Sequence, residues 1–270
     1  MDVFDGIAEV GDLRRGSHVC WLVDDPAIYT DVAAALLSDG SRLGQKPVVF
    51  GPADSPNLAE LEPAAAIAAD PHVAFLDSGP LDPDAMFAMF RAQSALAEAA
   101  GYDGLRVVAD MDWLLPGRPT VEAIVGFELL LDRVVGELNA TVVCAYRRTS
   151  FDTAAIAGAL SVHPLQFGSD EQPQFRLVAG DADSWRLAGE VDLAVGAAFA
   201  AAFVAALTLG DCELDVADLE FLDVAGMRAV AEAARVAQVA VQLRGASPML
   251  QRSWRLARFD EVAPMVQLVA

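Results

Sequence analysis

Between residues 16 and 145, short apolar runs rich in β-branched residues alternate with longer helical stretches, and this alternation constrains the fold more than any single motif. Strand candidates lie at 18–23, 47–50, 72–76, 105–109 and 141–145; helical candidates lie between them at 27–43, 55–69, 83–100 and 120–138. Asp25-Pro26 and the Gly40–Gly44 stretch supply turn and capping chemistry near helix ends. The strand candidates are apolar throughout, with no polar alternation, so both faces must be covered. A parallel sheet with helices on each side is the arrangement that does this. The first part of the chain is α/β.

The segment Gly168-Ser169-Asp170-Glu171-Gln172-Pro173 is short and polar, with Gly and Pro at its ends, and reads as a boundary between domains spanning 1–168 and 174–270. Charge supports the division: 26 acidic residues face 10 basic ones up to 173, against 13 and 8 beyond it. The net charge of −21 argues against nucleic acid and anionic membrane surfaces as partners. No apolar run reaches the roughly 18 residues of a membrane span, and no basic-then-apolar leader opens the chain, so a cytoplasmic protein is expected. Cys20, Cys144 and Cys212 lie in or beside strand-like segments without C-x-x-C spacing. Buried thiols are therefore expected in preference to disulfides or a zinc site.

Beyond the boundary, strands are expected at 175–178 and 184–187, a helix at 194–207, strand structure at 213–221, a helix at 225–239, a strand at 241–243 and a helix at 248–257. The stretch from Cys212 to Gly226, CELDVADLEFLDVAG, reads as a strand, a tight turn and a helix start. With Leu187-Ala188-Gly189-Glu190-Val191-Asp192 before it, this region resembles the STAS domain of anti-sigma factor antagonists. The resemblance implies a small sheet packed on helices, with a D-S-S-G turn whose first Ser a partner kinase phosphorylates. Here the turn is Asp223-Val224-Ala225-Gly226, so no hydroxyl can accept phosphate. Asp223 suits an N-cap whatever the function. The four turn residues are the candidate partner-binding site, with Ser184, Thr208 and Ser247 as alternative phosphorylation positions.

In the first domain, the strand, loop and helix from Gly16 onward follow the order of a phosphate-binding loop. Such a loop needs glycines and a lysine. Asp24-Asp25-Pro26 stands there instead, and its two carboxylates would repel a phosphate. Leu105–Trp113 reads as an apolar strand ending in Asp110 and Asp112, which could hold a metal or be a plain strand-end pair. The run from Gly16 to Pro26, then Leu43-Gly44, Ala109–Trp113, Phe127-Glu128, Val143–Tyr146 and His163-Pro164 together resemble the MEDS sensory domain. That family is similar to RecA-like ATPases with a degenerate phosphate loop and is proposed to sense small molecules, including hydrocarbon derivatives.

His18 and Cys20 point to one face of their strand, where they could form a reactive thiolate, a metal site, a polar anchor for a ligand, or simply part of the core. Trp21 points the other way. A ligand pocket is expected at the carboxyl ends of the strands, with Asp24, Asp112 and Tyr146 at its rim and His18 and Cys20 on its floor. Glu128 sits in an apolar helical run, GFELLLDRVV; if buried it needs a donor, for which Arg147 and Arg148 are candidates. His163 is expected to end a helix, and His72 to start a strand. No catalytic constellation is legible, and neither a cofactor nor a metal is expected. The chain reads as a non-enzymatic signalling regulator, a small-molecule sensor joined to a STAS module that binds an anti-sigma factor or related protein. The rivals are a RecA-like protein that binds or hydrolyses nucleotide and a structural component of a STAS-based assembly.

Overall fold

The computed structural model describes residues 11, 13–52, 61, 65–69, 82–181, 184–208 and 212–269. Its first sheet comprises β1 (His18–Val23), β2 (Lys46–Pro52), β3 (Ala65–Ala69), β4 (Leu105–Asp110), β5 (Thr141–Arg147) and β6 (Leu165–Phe167). Their spatial order is β3-β2-β4-β5-β1-β6, and every pairing is parallel. Helices α1 (Tyr29–Arg42), α2 (Pro83–Ala99), α3 (Val121–Glu137) and α4 (Thr153–Ser161) complete this unit.

Strand alternation sorts the side chains between two layers. Cys20, Leu22, Cys144 and Tyr146 join Phe87, Phe90, Phe127 and Ile156 in one core. Val19, Trp21 and Val23 join Tyr29, Ala33 and Leu36 in the other. Trp21 lies on the face opposite His18 and Cys20, stacked on Tyr29 with ring centroids 5.1 Å apart.

The second sheet has the order β10-β8-β9-β11-β12, formed by β8 (Trp185–Val191), β9 (Cys212–Asp215), β10 (Leu219–Leu222), β11 (Val241–Arg244) and β12 (Val266–Val269). Strand β7 (Phe175–Ala179) pairs with β8 antiparallel, and the other pairings are parallel. Helices α5 (Gly196–Leu207), α6 (Val224–Ala237), α7 (Pro248–Leu256) and the short α8 (Phe259–Val262) pack on it. The chain is thus an α/β domain on a parallel sheet followed by a smaller α/β domain on a mixed sheet. No helix among the described residues is long and apolar enough to cross a membrane.

Three expectations need revision. Residues 65–69, expected to end a helix, form β3 and pair with β2 from Val48 to Pro52. The 213–221 region is two strands, because a turn at Val216–Asp218 separates β9 from β10. Strands β6 and β12, the short helix α8 and the span of α4 were not anticipated. The expected strand at 72–76, with His72, lies outside the described residues, as does most of 55–64.

Helix α3 explains its own apolar sequence. A helix hydrophobic all round is buried on more than one side. Ile124, Phe127 and Leu131 enter the first core, while Val125 and Leu129 enter the core of the second domain beside Phe199, Ala202 and Phe203. A Cβ on Gly126 would stand 3.6 Å from the Ala205 Cβ, so the α3 and α5 backbones approach closely. Polar contacts pin the same junction. Arg133 lies over the Trp185 ring at 4.5 Å and donates to the Ser184 carbonyl at 3.1 Å. Arg176 of β7, fully buried, donates to the carbonyls of His163 and Pro164 and to Gln166 Oε1.

Candidate functional site

At the centre of the first domain, α3 crosses the sheet and presents Glu128 and Asp132, one helical turn apart, toward β1 and β5. His18 Nε2 lies 3.2 Å from Glu128 Oε2, and His18 Nδ1 lies 3.3 Å from Asp132 Oδ1. Cys144 Sγ is 3.6 Å from both His18 Nε2 and Glu128 Oε2. The Tyr146 hydroxyl donates to Glu128 Oε1. His163, which follows α4, brings its ring centroid to 4.0 Å from that of His18 and its Nε2 to 3.5 Å from Glu128 Oε2. All six side chains are buried, four of them adjoining one another in a single knot of ligating atoms.

Burial sets the cost of charge here, and neighbours decide who carries it. Burial alone pulls the His18 pKa down, but Asp132 and Glu128 outweigh it and lift the imidazole to about 9. His163 is pushed down to about 3, by burial first and then by the charge on His18. Two imidazoles in van der Waals contact cannot both hold a positive charge, and His18, with two carboxylates, is the one that does. Burial opposes ionisation of Glu128, yet the hydrogen bond and charge of His18 and the Tyr146 hydroxyl hold it below the usual carboxylate range. The Cys144 thiol and Tyr146 phenol are driven well up by burial and by Glu128.

His18 and Tyr146, expected on the floor and at the rim of a pocket, meet instead around Glu128 in the interior. Tyr146 is fully buried and stands at no rim. Cys20 is also buried, in the apolar layer beside this cluster, its thiol raised well above its usual range chiefly by burial. The donors to Glu128 are His18, Tyr146 and Cys144; Arg147 and Arg148 serve other carboxylates. Glu128, Asp132 and His163 are the residues sequence reasoning missed as site members. The signal was available in part, since a carboxylate every fourth residue inside an apolar helix implies buried partners.

At the carboxyl ends of the strands a different set gathers. Arg147 Nη1 lies 2.6 Å from both Asp110 Oδ1 and Asp112 Oδ2, and its Nη2 lies 2.8 Å from Asp110 Oδ2, above the Tyr29 ring. Arg148 bridges Asp24 at 2.6 Å and Glu171 at 2.8 Å. Asp25 caps the short turn that follows it, accepting from Ala27 N at 2.9 Å. Asp24 and Asp112 therefore sit in ion pairs. Among the described residues, one groove of about 400 Å³ is lined by Phe87, Arg91, Leu130, Arg133 and Thr208, and an apolar one of about 370 Å³ runs between α5 and α6.

In the second domain, Asp223 caps α6, its Oδ1 accepting from Gly226 N at 2.7 Å. Val224 and Ala225 face solvent on the first turn, with Phe221 exposed just before it. Gly226 is buried where a Cβ would push the end of the Leu222 side chain aside and crowd Val191. Of the alternative hydroxyls, Ser184 donates to the Asp181 carbonyl, Thr208 to that of Ala205, and Ser247 caps α7.

Comparison with protein families gives two matches. A family model described as MEDS, the methanogen/methylotroph DcmR sensory domain, matches residues 17–164, more than half of the chain. A model described as "Mlab, STAS domain" matches residues 178–269. No curated protein matches the chain. The chain belongs to the MEDS family and carries a STAS domain after its sensory domain.

Proposed function

We propose that this protein is a cytoplasmic signalling regulator in which the MEDS domain senses a small molecule and sets the state of the STAS domain. The STAS domain in turn binds a protein partner, an anti-sigma factor or a related regulator, through the Asp223–Gly226 turn and the helix it opens. The observation that carries this reading is helix α3: it holds the buried polar cluster on one side and packs into the STAS core on the other. A change around Glu128 or Asp132 has a direct mechanical route to β7 and α5. Val224 lacks the oxygen through which a kinase would add charge at this turn, and in this reading the attached sensory domain supplies the control instead.

The domain works without nucleotide turnover in this reading. Asp24 and Asp25 oppose a phosphate at the loop, and Arg147 holds Asp110 and Asp112. ATP or GTP hydrolysis above background that disappears in Asp110→Asn would support the rival instead.

The partner surface is tested by capturing proteins from a cell extract on the full chain, purifying the retained regulator and titrating it. Val224→Glu should weaken binding at least about tenfold, since a carboxylate on the exposed first turn is added to the contact. Equal affinity for the two proteins, with unchanged melting, removes the turn from the mechanism. The rival reading is membership of a larger STAS-based assembly. Light scattering of the purified protein with its captured partner separates a defined regulator pair from such an assembly.

A further inference from the structure

The buried knot in the first domain has too many electron-rich atoms for the donors that serve it. His163 Nδ1 lies 2.7 Å from the Ala159 carbonyl. A carbonyl only accepts, so Nδ1 carries the proton and Nε2 of the neutral ring is a bare lone pair. That lone pair is buried without a hydrogen-bond partner and faces Glu128 Oε2, a carboxylate oxygen that has no proton to give. A lone pair pointed at an anion in a dry interior is a costly arrangement. A cation between the two converts repulsion into ligation.

The spacing fits one. Metal–nitrogen and metal–oxygen bonds of about 2.0–2.1 Å and a metal–sulfur bond of about 2.3 Å give tetrahedral edges of about 3.3 Å between N/O atoms and about 3.6 Å from sulfur to N or O. The observed edges are 3.2 Å for His18 Nε2 to Glu128 Oε2, 3.5 Å for His163 Nε2 to Glu128 Oε2, and 3.6 Å for Cys144 Sγ to both His18 Nε2 and Glu128 Oε2. The four ligating atoms all lie within 4.8 Å of one another. We infer that His18, Glu128, Cys144 and His163 form a site for one divalent transition cation of the zinc class.

The surroundings are those a metal site needs. Three of the four ligands are oriented from behind: Asp132 faces His18 Nδ1, the Ala159 carbonyl takes the His163 Nδ1 proton, and the Tyr146 hydroxyl holds the second oxygen of Glu128. A thiolate, two imidazoles and a carboxylate in tetrahedral reach suit Zn²⁺ better than the oxygen-seeking Mg²⁺ or Ca²⁺. The proton balance closes, because the incoming dication replaces one proton on the His18 imidazolium and one on the Cys144 thiol. The four ligands come from β1, α3, β5 and the turn after α4, which is why no C-x-x-C or H-x-x-H spacing announces the site. Asp132 gives the site a reach beyond its own domain: its Oδ2 accepts the Ala179 N–H of β7 at 2.7 Å, so one carboxylate supports the metal ligand His18 and the edge of the STAS sheet.

The test uses the full chain, purified without an affinity tag under reducing conditions. Elemental analysis of the purified protein, and of protein refolded with one equivalent of Co²⁺, should each give about one metal per chain. The cobalt form should show a thiolate-to-cobalt charge-transfer band together with tetrahedral d–d absorption. Cys144→Ser should abolish the charge-transfer band and His163→Gln should weaken uptake at least about tenfold, while Cys20→Ser, on the same face of the sheet, should change neither. X-ray absorption at the cobalt edge of the wild-type protein should count one sulfur and three nitrogen or oxygen ligands, a readout that needs no variant to fold. Substoichiometric metal by both routes overturns the inference, as does a band that survives Cys144→Ser or a coordination shell without sulfur.

Discussion

His18 and His163 lie ring beside ring yet are shifted in opposite directions, and the metal-free protein should report both in its stability. The folded-state pKa of His18, about 9, lies above its unfolded value near 6.5, so its contribution is complete below pH 6.5 and is lost as pH rises through 9. His163, at about 3, works the other way: between pH 6.5 and 3 the unfolded chain binds the proton and the folded one does not, so stability falls as pH falls. Urea unfolding in the presence of chelator should therefore show a maximum near pH 6.5, each limb sloping by at most about 1.4 kcal/mol per pH unit. A profile flat from pH 5 to 9 would mean that neither ring is held as described. At the other site, Asp223→Ala removes the oxygen that accepts from Gly226 N and should cost about 1 kcal/mol, read as a lower urea midpoint. An unchanged midpoint would assign the cap no weight. The two sites differ in how far sequence could expose them. Asp223 is legible because a cap acts over three residues. The pairing of His18 with Glu128 spans 110 positions, and only packing brings them together.

At the scale of elements, α3 carries the traffic between domains, and two of its residues test that role separately. Asp132→Ala leaves the Ala179 N–H of β7 without its acceptor and withdraws a carboxylate from His18, a loss of about 1–3 kcal/mol for the unpaired donor alone. Arg133→Ala removes the bond to the Ser184 carbonyl and the contact over Trp185, together about 1–2 kcal/mol. Amide exchange should rise in β7 for the first variant and near Trp185 for the second. Protection unchanged in both would detach α3 from the second domain. The α3 run was readable as a helix but not as a shared one, since an apolar run says that a helix is buried and not against what. Strand β3 shows the opposite limit. Its AAIAA sequence favours a helix by propensity, and parallel pairing with β2 overrides it. Strand β6 has three residues, too few for any periodicity to register.

Taken whole, the molecule has two sheets whose cores meet through one helix, and this predicts how it unfolds. Multidomain chains commonly melt in separate steps, because their interfaces are small and polar. Here the junction is apolar, with Val125, Leu129 and Val162 inside the same cluster as Phe199 and Phe203. Arg176, its guanidinium fully buried, is held by the His163 and Pro164 carbonyls and Gln166 of the first domain, so separating the domains would strip a buried charge of its acceptors. The segment between β6 and β7 is itself tied, Gln166 donating to the carbonyls of Ser169 and Glu171. Calorimetry of the full chain should therefore give one transition whose calorimetric and van't Hoff enthalpies agree. Arg176→Met, which keeps the volume and removes the charge, should leave that single transition intact, whereas Leu129→Asp, which places an unpaired carboxylate in the junction, should split it or lower the midpoint by several degrees. Two resolved transitions in the unaltered protein would show that the domains are coupled too weakly for a change at Glu128 or Asp132 to reach the Asp223 turn.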